Sequence, residues 1–247
     1  MLISIKPFRG VEDLKFIYGC YSDIGNYRPN NEDRIFARTI GADEQICIGT
    51  VCDGVGGTQA GEIASEMTVE ELKLWSEKIA ANAEMYELET LTMELKKKIY
   101  EINELVCRYS KINHVQTGST LSGILICGNR YITFNIGDSR VYNLNKKIEQ
   151  LTSDDVRIAD GKTVLSQCIG GSEKIFINIT VGEARNNDTF IFCSDGFYKL
   201  MKTNEVLQSV NKLSSSKKAE LACASLVNKV KKRDEKDNIS LGIIKCI

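Results

Sequence analysis

Short runs of apolar, β-branched and aromatic residues alternate with polar turns along most of this chain. From about residue 60 to about residue 110, and again in two shorter stretches after residue 200, the apolar period lengthens to that of a helix. Residues 16–22, Arg34–Ile40 and Gln45–Cys52 read as strands, with a polar loop from Asp23 to Asp33 between the first two. Ala60, Ile63, Ala64, Met67, Leu72, Trp75 and Ile79 then fall roughly on one helical face. Leu88, Leu91, Leu95, Ile99, Ile102, Val106 and Tyr109 follow at spacings of three and four. The spacing predicts two amphipathic helices joined at 80–84 and packed antiparallel. The strand period returns at Ser119–Cys127, Arg130–Ile136 and Arg140–Leu144, with a hairpin turn at Gly128-Asn129. Lys147–Leu151 is a further short strand, and Thr163–Ile169 reads as a brief helix ended by Gly170-Gly171. Ile175–Val181 and Asp188–Cys193 are strands, Lys202–Val210 and Lys217–Lys231 helices, and Ile239–Ile244 a last strand. Strands in runs, without regular βαβ alternation, favour antiparallel sheets with helices packed outside them.

Composition narrows the chemistry. The 247 residues carry 32 basic and 33 acidic side chains, a net charge of −1 that gives no nucleic-acid or membrane footprint. No apolar run approaches the roughly 20 residues that span a bilayer. The N-terminal nine residues lack the features of a secretory signal, so a cytoplasmic location is expected. Two prolines and no Ser/Gly-rich linker point to one domain over residues 1–247. The nine cysteines are scattered, with no Cys-x-x-Cys pair, and Cys47, Cys52, Cys127 and Cys193 lie in apolar runs. They read as buried hydrophobes rather than a zinc site or a disulfide framework. The single histidine, His114, sits in a polar connector and reads as a surface residue.

The pivot is Ile48–Gly61, an apolar run, one acid, a glycine-rich turn and a helix start. Asp53 there is either a helix cap or a carboxylate that needs a cation beside it. Glu32 and Asp33, Asp138, Asp195 and Asp237 also stand where a strand meets a turn. If these ends converge on one rim, the carboxylates repel and their pKa values rise unless cations neutralise them. All-oxygen ligands select hard ions, Mg²⁺ or Mn²⁺, and a pair of them assists phosphate-ester hydrolysis, with Arg28 as a fork for phosphate. Acids scattered at turns are equally the pattern of ordinary solvated loops.

Six segments, in order, resemble the motifs of the metal-dependent protein serine/threonine phosphatases, the type 2C family. They are Ser22–Asp33, Asp53-Gly54-Val55-Gly56-Gly57, Gly118-Ser119-Thr120, Gly137-Asp138-Ser139-Arg140, Ser194-Asp195-Gly196 and Asp237-Asn238-Ile239-Ser240. The resemblance runs from about Tyr18 to Ile244 and implies an α+β fold. That fold is a four-layer α-β-β-α sandwich, two antiparallel sheets flanked by antiparallel helix pairs. It implies that Asp53 bridges two ions, that the Gly54 carbonyl and Glu32 serve the second, and that Asp195 and Asp237 complete the first. Asp33 would orient a bridging hydroxide and Arg28 hold the phosphoryl oxygens, with no phosphoenzyme. Asp138 with Asp195 would belong to a weaker third-metal site. The implied substrates are phosphorylated proteins, targets of a serine/threonine kinase. A catalytically weak binding module and a phosphatase of small phosphorylated molecules are the alternatives.

The departures from the family pattern concern the leaving group and the flap. Animal members have histidine where this chain has Val55, and many bacterial members have one where it has Thr58. A metal-bound water is therefore the expected acid. After Leu151-Thr152-Ser153-Asp154 comes Asp155-Val156, and the flap segment of bacterial relatives, around 155–165, is much shortened. The site should be more open for it. Glu235-Lys236 stand where small residues often precede Asp-Asn.

Overall fold

A computed structural model of the chain describes residues 14–55, 60–81, 86–145 and 147–247. The N-terminal nine residues, Gly56 to Gln59 and residues 82–84 of the expected helix connector lie outside the described residues. The chain opens with β1 (Phe16–Asp23), β2 (Asp33–Ile40) and β3 (Ile46–Asp53), followed by α1 (Gly61–Ala80) and α2 (Leu88–Asn113). Next come β4 (Leu121–Cys127), β5 (Arg130–Ile136), β6 (Arg140–Asn143), β7 (Glu149–Gln150), β8 (Val156–Ala159) and β9 (Lys162–Leu165). They are followed by β10 (Asn178–Glu183), β11 (Thr189–Cys193), α3 (Asp195–Tyr198), α4 (Thr203–Val210), α5 (Ser216–Lys231) and β12 (Ile239–Cys246).

Two five-stranded antiparallel sheets form, ordered β1-β12-β11-β6-β7 and β10-β5-β4-β3-β2. Three apolar clusters define the layering. Val51, Ile124 and Ile126 of one sheet meet Phe16, Phe190, Phe192 and Ile244 of the other, which makes the inner core. The outer face of β2–β5 packs on α1 and α2 through Ile48, Leu125, Phe134, Leu72, Leu95 and Ile99. The outer face of the other sheet packs on α3–α5 through Ile191, Ile243, Phe197, Val206, Ala219 and Val227. Helices therefore cover both outer faces, in the expected α-β-β-α order. Among the described residues, no helix is long and apolar enough to cross a membrane.

The stripe on α2 is the one read from its spacing: Leu88, Leu91, Leu95, Ile99, Ile102 and Val106 are buried. In α1 the buried face is rotated, since Ser65, Thr68 and Ser76 are inside while Ile63 and Met67 are only half-buried. Each of those hydroxyls donates to a backbone carbonyl, which removes the usual penalty for burying it. The expected turn at Gly128-Asn129 forms, with Cys127 opposite Arg130.

The brief helix expected at Thr163–Ile169 does not form. Lys162–Leu165 is instead the second strand of a hairpin with Val156–Ala159, and Ile169 makes paired backbone hydrogen bonds with Ser119. The turn is Asp160-Gly161, with φ of 50° and 73°. Two successive residues with positive φ close a two-residue hairpin in the sense that matches strand twist. Smaller differences are a later start for β10, at Asn178 rather than Ile175, and a two-residue β7.

Candidate active site

Asp33 opens β2 and Asp53 ends β3, and the register sets the two directly opposite each other. Asp195 begins α3 two residues after β11, and Asp237 stands two residues before β12, which pairs with β11. A single side chain sews the two sheets together here. The Ser194 hydroxyl donates to Asp33 Oδ2 at 2.7 Å and accepts from the Ser240 N–H at 3.0 Å. The Gly137-Asp138-Ser139 loop crosses from β5 in one sheet to β6 in the other. Ser139 Oγ lies 2.7 Å from Thr120 Oγ1, which accepts from the Asp53 N–H at 2.9 Å.

The polar loop before β2 is fastened to the same place by Asn238. Its amide donates to the carbonyls of Ile24 and Asn30 at 2.9 and 3.0 Å, and its oxygen accepts from the Glu32 N–H at 2.9 Å. The Glu32 carbonyl in turn accepts from the Gly54 N–H at 3.1 Å and the Ser65 hydroxyl at 2.6 Å. Arg28, on that loop, reaches Asp237 Oδ2 at 2.7 Å.

The electrostatics report how closely the acids gather. Burial pushes Asp53 well above the usual carboxylate range, and the charges of Asp33, Asp195, Asp237 and Asp138 push it further. Burial lifts Asp33 to about 7, with Asp195 and Asp237 adding to the rise and the hydroxyls of Ser240 and Ser194 opposing it. Asp138 rises to about 6 through burial and the charge of Asp195, against Lys199. Glu32 is raised by burial and Glu62, with Arg28 opposing. The charges of Asp237, Glu32 and Asp53 all act on Arg28. The structure thus brings every acid singled out in the sequence to one rim, with Arg28 among them.

Two buried carboxylate oxygens, Asp33 Oδ1 and Asp195 Oδ1, have no hydrogen-bond partner. Among the described residues no three acidic, histidine or cysteine side chains are closed to metal-binding distance. Asp237 turns instead to Arg28, and Asp195 Oδ2 to Lys199 Nζ at 2.5 Å. Orphaned oxygens in an all-carboxylate cluster fit hard divalent cations. His114 is exposed, at the left-handed C-terminal cap of α2.

The family model for protein phosphatase 2C matches residues 27–235. The chain belongs to that family. Within it, the serine/threonine phosphatase stp of Listeria welshimeri is 28% identical over 244 residues, covering 90% of this chain and 93% of that one. The serine/threonine protein phosphatase PstP of Mycobacterium tuberculosis is 28% identical over 214 residues, 78% of this chain and 38% of that one. Among solved structures, PppA of Pseudomonas aeruginosa, described as a key regulatory component of T6SS, superposes with a TM-score of 0.78. It is 25% identical and covers 96% of this chain and 99% of its own. The catalytic domain of PstP, in complex with 2 manganese ions, gives a TM-score of 0.77 at 24% identity, over 95% of this chain and 99% of its own. As a protein phosphatase 2C, this chain is a metal-dependent serine/threonine protein phosphatase that works with divalent ions.

Two contributors to the site, Lys199 and Arg140, carry no local sequence signal of that role. Lys199 becomes a partner of Asp195 only once Asp195–Tyr198 is known to be a helical turn, which sets the two at i and i+4. Arg140 closes the Gly137-Asp138-Ser139-Arg140 segment. It holds Asp154 with bonds of 2.7 to 3.1 Å and lies over the Tyr198 ring at 3.7 Å, joining three segments around Asp138.

Proposed function

We propose that the chain hydrolyses phosphoserine and phosphothreonine esters of proteins at this carboxylate rim. In this reading Asp53, Asp195, Asp237, Glu32 and the Gly54 carbonyl hold a pair of Mg²⁺ or Mn²⁺ ions. When bound, such ions lower the pKa of water toward neutrality and neutralise developing charge on phosphorus. The observation that carries the reading is the facing pair Asp33 and Asp53, tied across the sheets to Ser194 beside Asp195.

The protein's own groups divide the remaining work. Arg28 offers a planar fork to the equatorial phosphoryl oxygens once it swings from Asp237, and it keeps its charge at any relevant pH. Asp33 spends one oxygen on Ser194 and leaves Oδ1 free to accept a hydrogen bond from the attacking water, which aligns it with phosphorus. The proton for the departing alkoxide comes from water, because Val55 and Thr58 stand where relatives carry a histidine. Asp138 adds negative charge at the edge of the cluster, beside Asp195.

The test is release of phosphate from a phosphothreonine peptide with and without Mn²⁺. Mn²⁺-dependent turnover that Asp53→Asn abolishes is expected. Full Mn²⁺-dependent turnover by that variant would overturn the assignment.

A further inference from the structure

Asp195 has one oxygen buried without a partner and the other bound by a lysine. The lysine is Lys199, four residues on, at the end of the single turn of α3. Its ammonium lies within the fields of Asp138 and Asp237 as well as Asp195. Two other cations of this region are already engaged. Arg28 is paired with Asp237, and Arg140 is spent on Asp154. Asp138 is pushed upward by burial and then by the charges of Asp195 and Asp154, with Lys199 the cation acting against them.

We propose that Lys199 is a built-in counter-ion at the Asp195–Asp138 edge, keeping from it a divalent ion that those two carboxylates would otherwise take up. The inference rests on the metal-binding reading above and deepens it. A divalent ion at this edge needs oxygens from both aspartates, and Asp195 Oδ2 is the one that Lys199 covers. Asp195 Oδ1 stays free for the ions held with Asp53. A lysine suits the role because its ammonium is a compact point charge on a flexible stem. With its side chain 52% exposed, it is replaceable without opening the core.

Equilibrium dialysis against Mn²⁺, with bound metal counted per chain, tests this without reference to turnover. Lys199→Met is expected to take up one more ion per chain than the unaltered protein. Lys199→Arg, which keeps the charge, is expected to match the unaltered protein. Adding Asp138→Asn to Lys199→Met should abolish the gain. Equal uptake by Lys199→Met and the unaltered chain, both folded by circular dichroism, would overturn the role of the lysine alone. Uptake by neither would overturn the metal-binding reading, and this inference with it. Lys199→Gln gives the same comparison if the methionine variant does not fold.

Discussion

At Gly196 a missing Cβ lets the turn that carries Asp195 lie against the turn that carries Asp237. A Cβ there would stand 2.0 Å from the Asn238 carbonyl oxygen and 3.3 Å from Asp237 Cβ. Both are parts of a segment pinned by Asn238, so neither yields easily. Gly196→Ala should therefore cost about 1–3 kcal/mol of stability, the usual range for overpacking. It should also separate the two aspartates, and a displacement near 1 Å lowers turnover by roughly 10²-fold. A urea titration and a Mn²⁺-dependent phosphate assay on the same sample check both effects. Unchanged turnover would mean that the two turns do not set the site. The acids at these positions were legible because an acid between an apolar strand and a glycine is a marked pattern. Ser194 and Asn238 were visible only as neighbours of those acids. Serine and asparagine close turns everywhere, and nothing local separates a turn from a bond that joins two sheets.

Among the elements, the hairpin of β8 and β9 shows where period and turn chemistry disagree. Val164, Leu165 and Ile169 suggest a short helical face, yet Asp160-Gly161 upstream is a strong two-residue hairpin signal, and the turn prevails. The apolar side chains could not have decided it, since Val156 and Ile158 on the partner strand are exposed and supply no core pattern. α2 was legible for the opposite reason, because its stripe faces one continuous core. The hairpin can thus be opened without loss of the fold. Gly161 has nothing within 4 Å of an added Cβ, so Gly161→Val acts through the backbone alone. Left-handed backbone costs a side-chain-bearing residue roughly 1–2 kcal/mol. Amide exchange in 156–165 should accelerate while the global unfolding midpoint stays put. A large fall in that midpoint would show the hairpin to be part of the core.

On the scale of the molecule, two rigid sheets present a rim of like charges, and that arrangement opposes folding when no cation is bound. Asp33 and Asp138 keep their protons up to about 7 and about 6, whereas an unfolded chain releases them near 4. Between about pH 4 and pH 7 the folded state therefore binds more protons than the unfolded one, and stability falls as pH rises. Many proteins behave oppositely over the acid part of this range, because their paired carboxylates favour the ionised form. Here Glu205, paired with Arg233, has a lowered pKa, and its contribution is lost only as pH falls through the acid limit of the window. Divalent ions bind the ionised carboxylates, so they must displace those protons and should restore stability most at the upper end. A concentration of Mn²⁺ at 100 times its dissociation constant would add about 2.7 kcal/mol. Urea titrations in EDTA from pH 5 to pH 8 should show declining stability, and Mn²⁺ should flatten or reverse the trend. Stability that climbs with pH in EDTA would mean that the buried rim does not hold its protons, and that the acids lie further apart than this fold sets them.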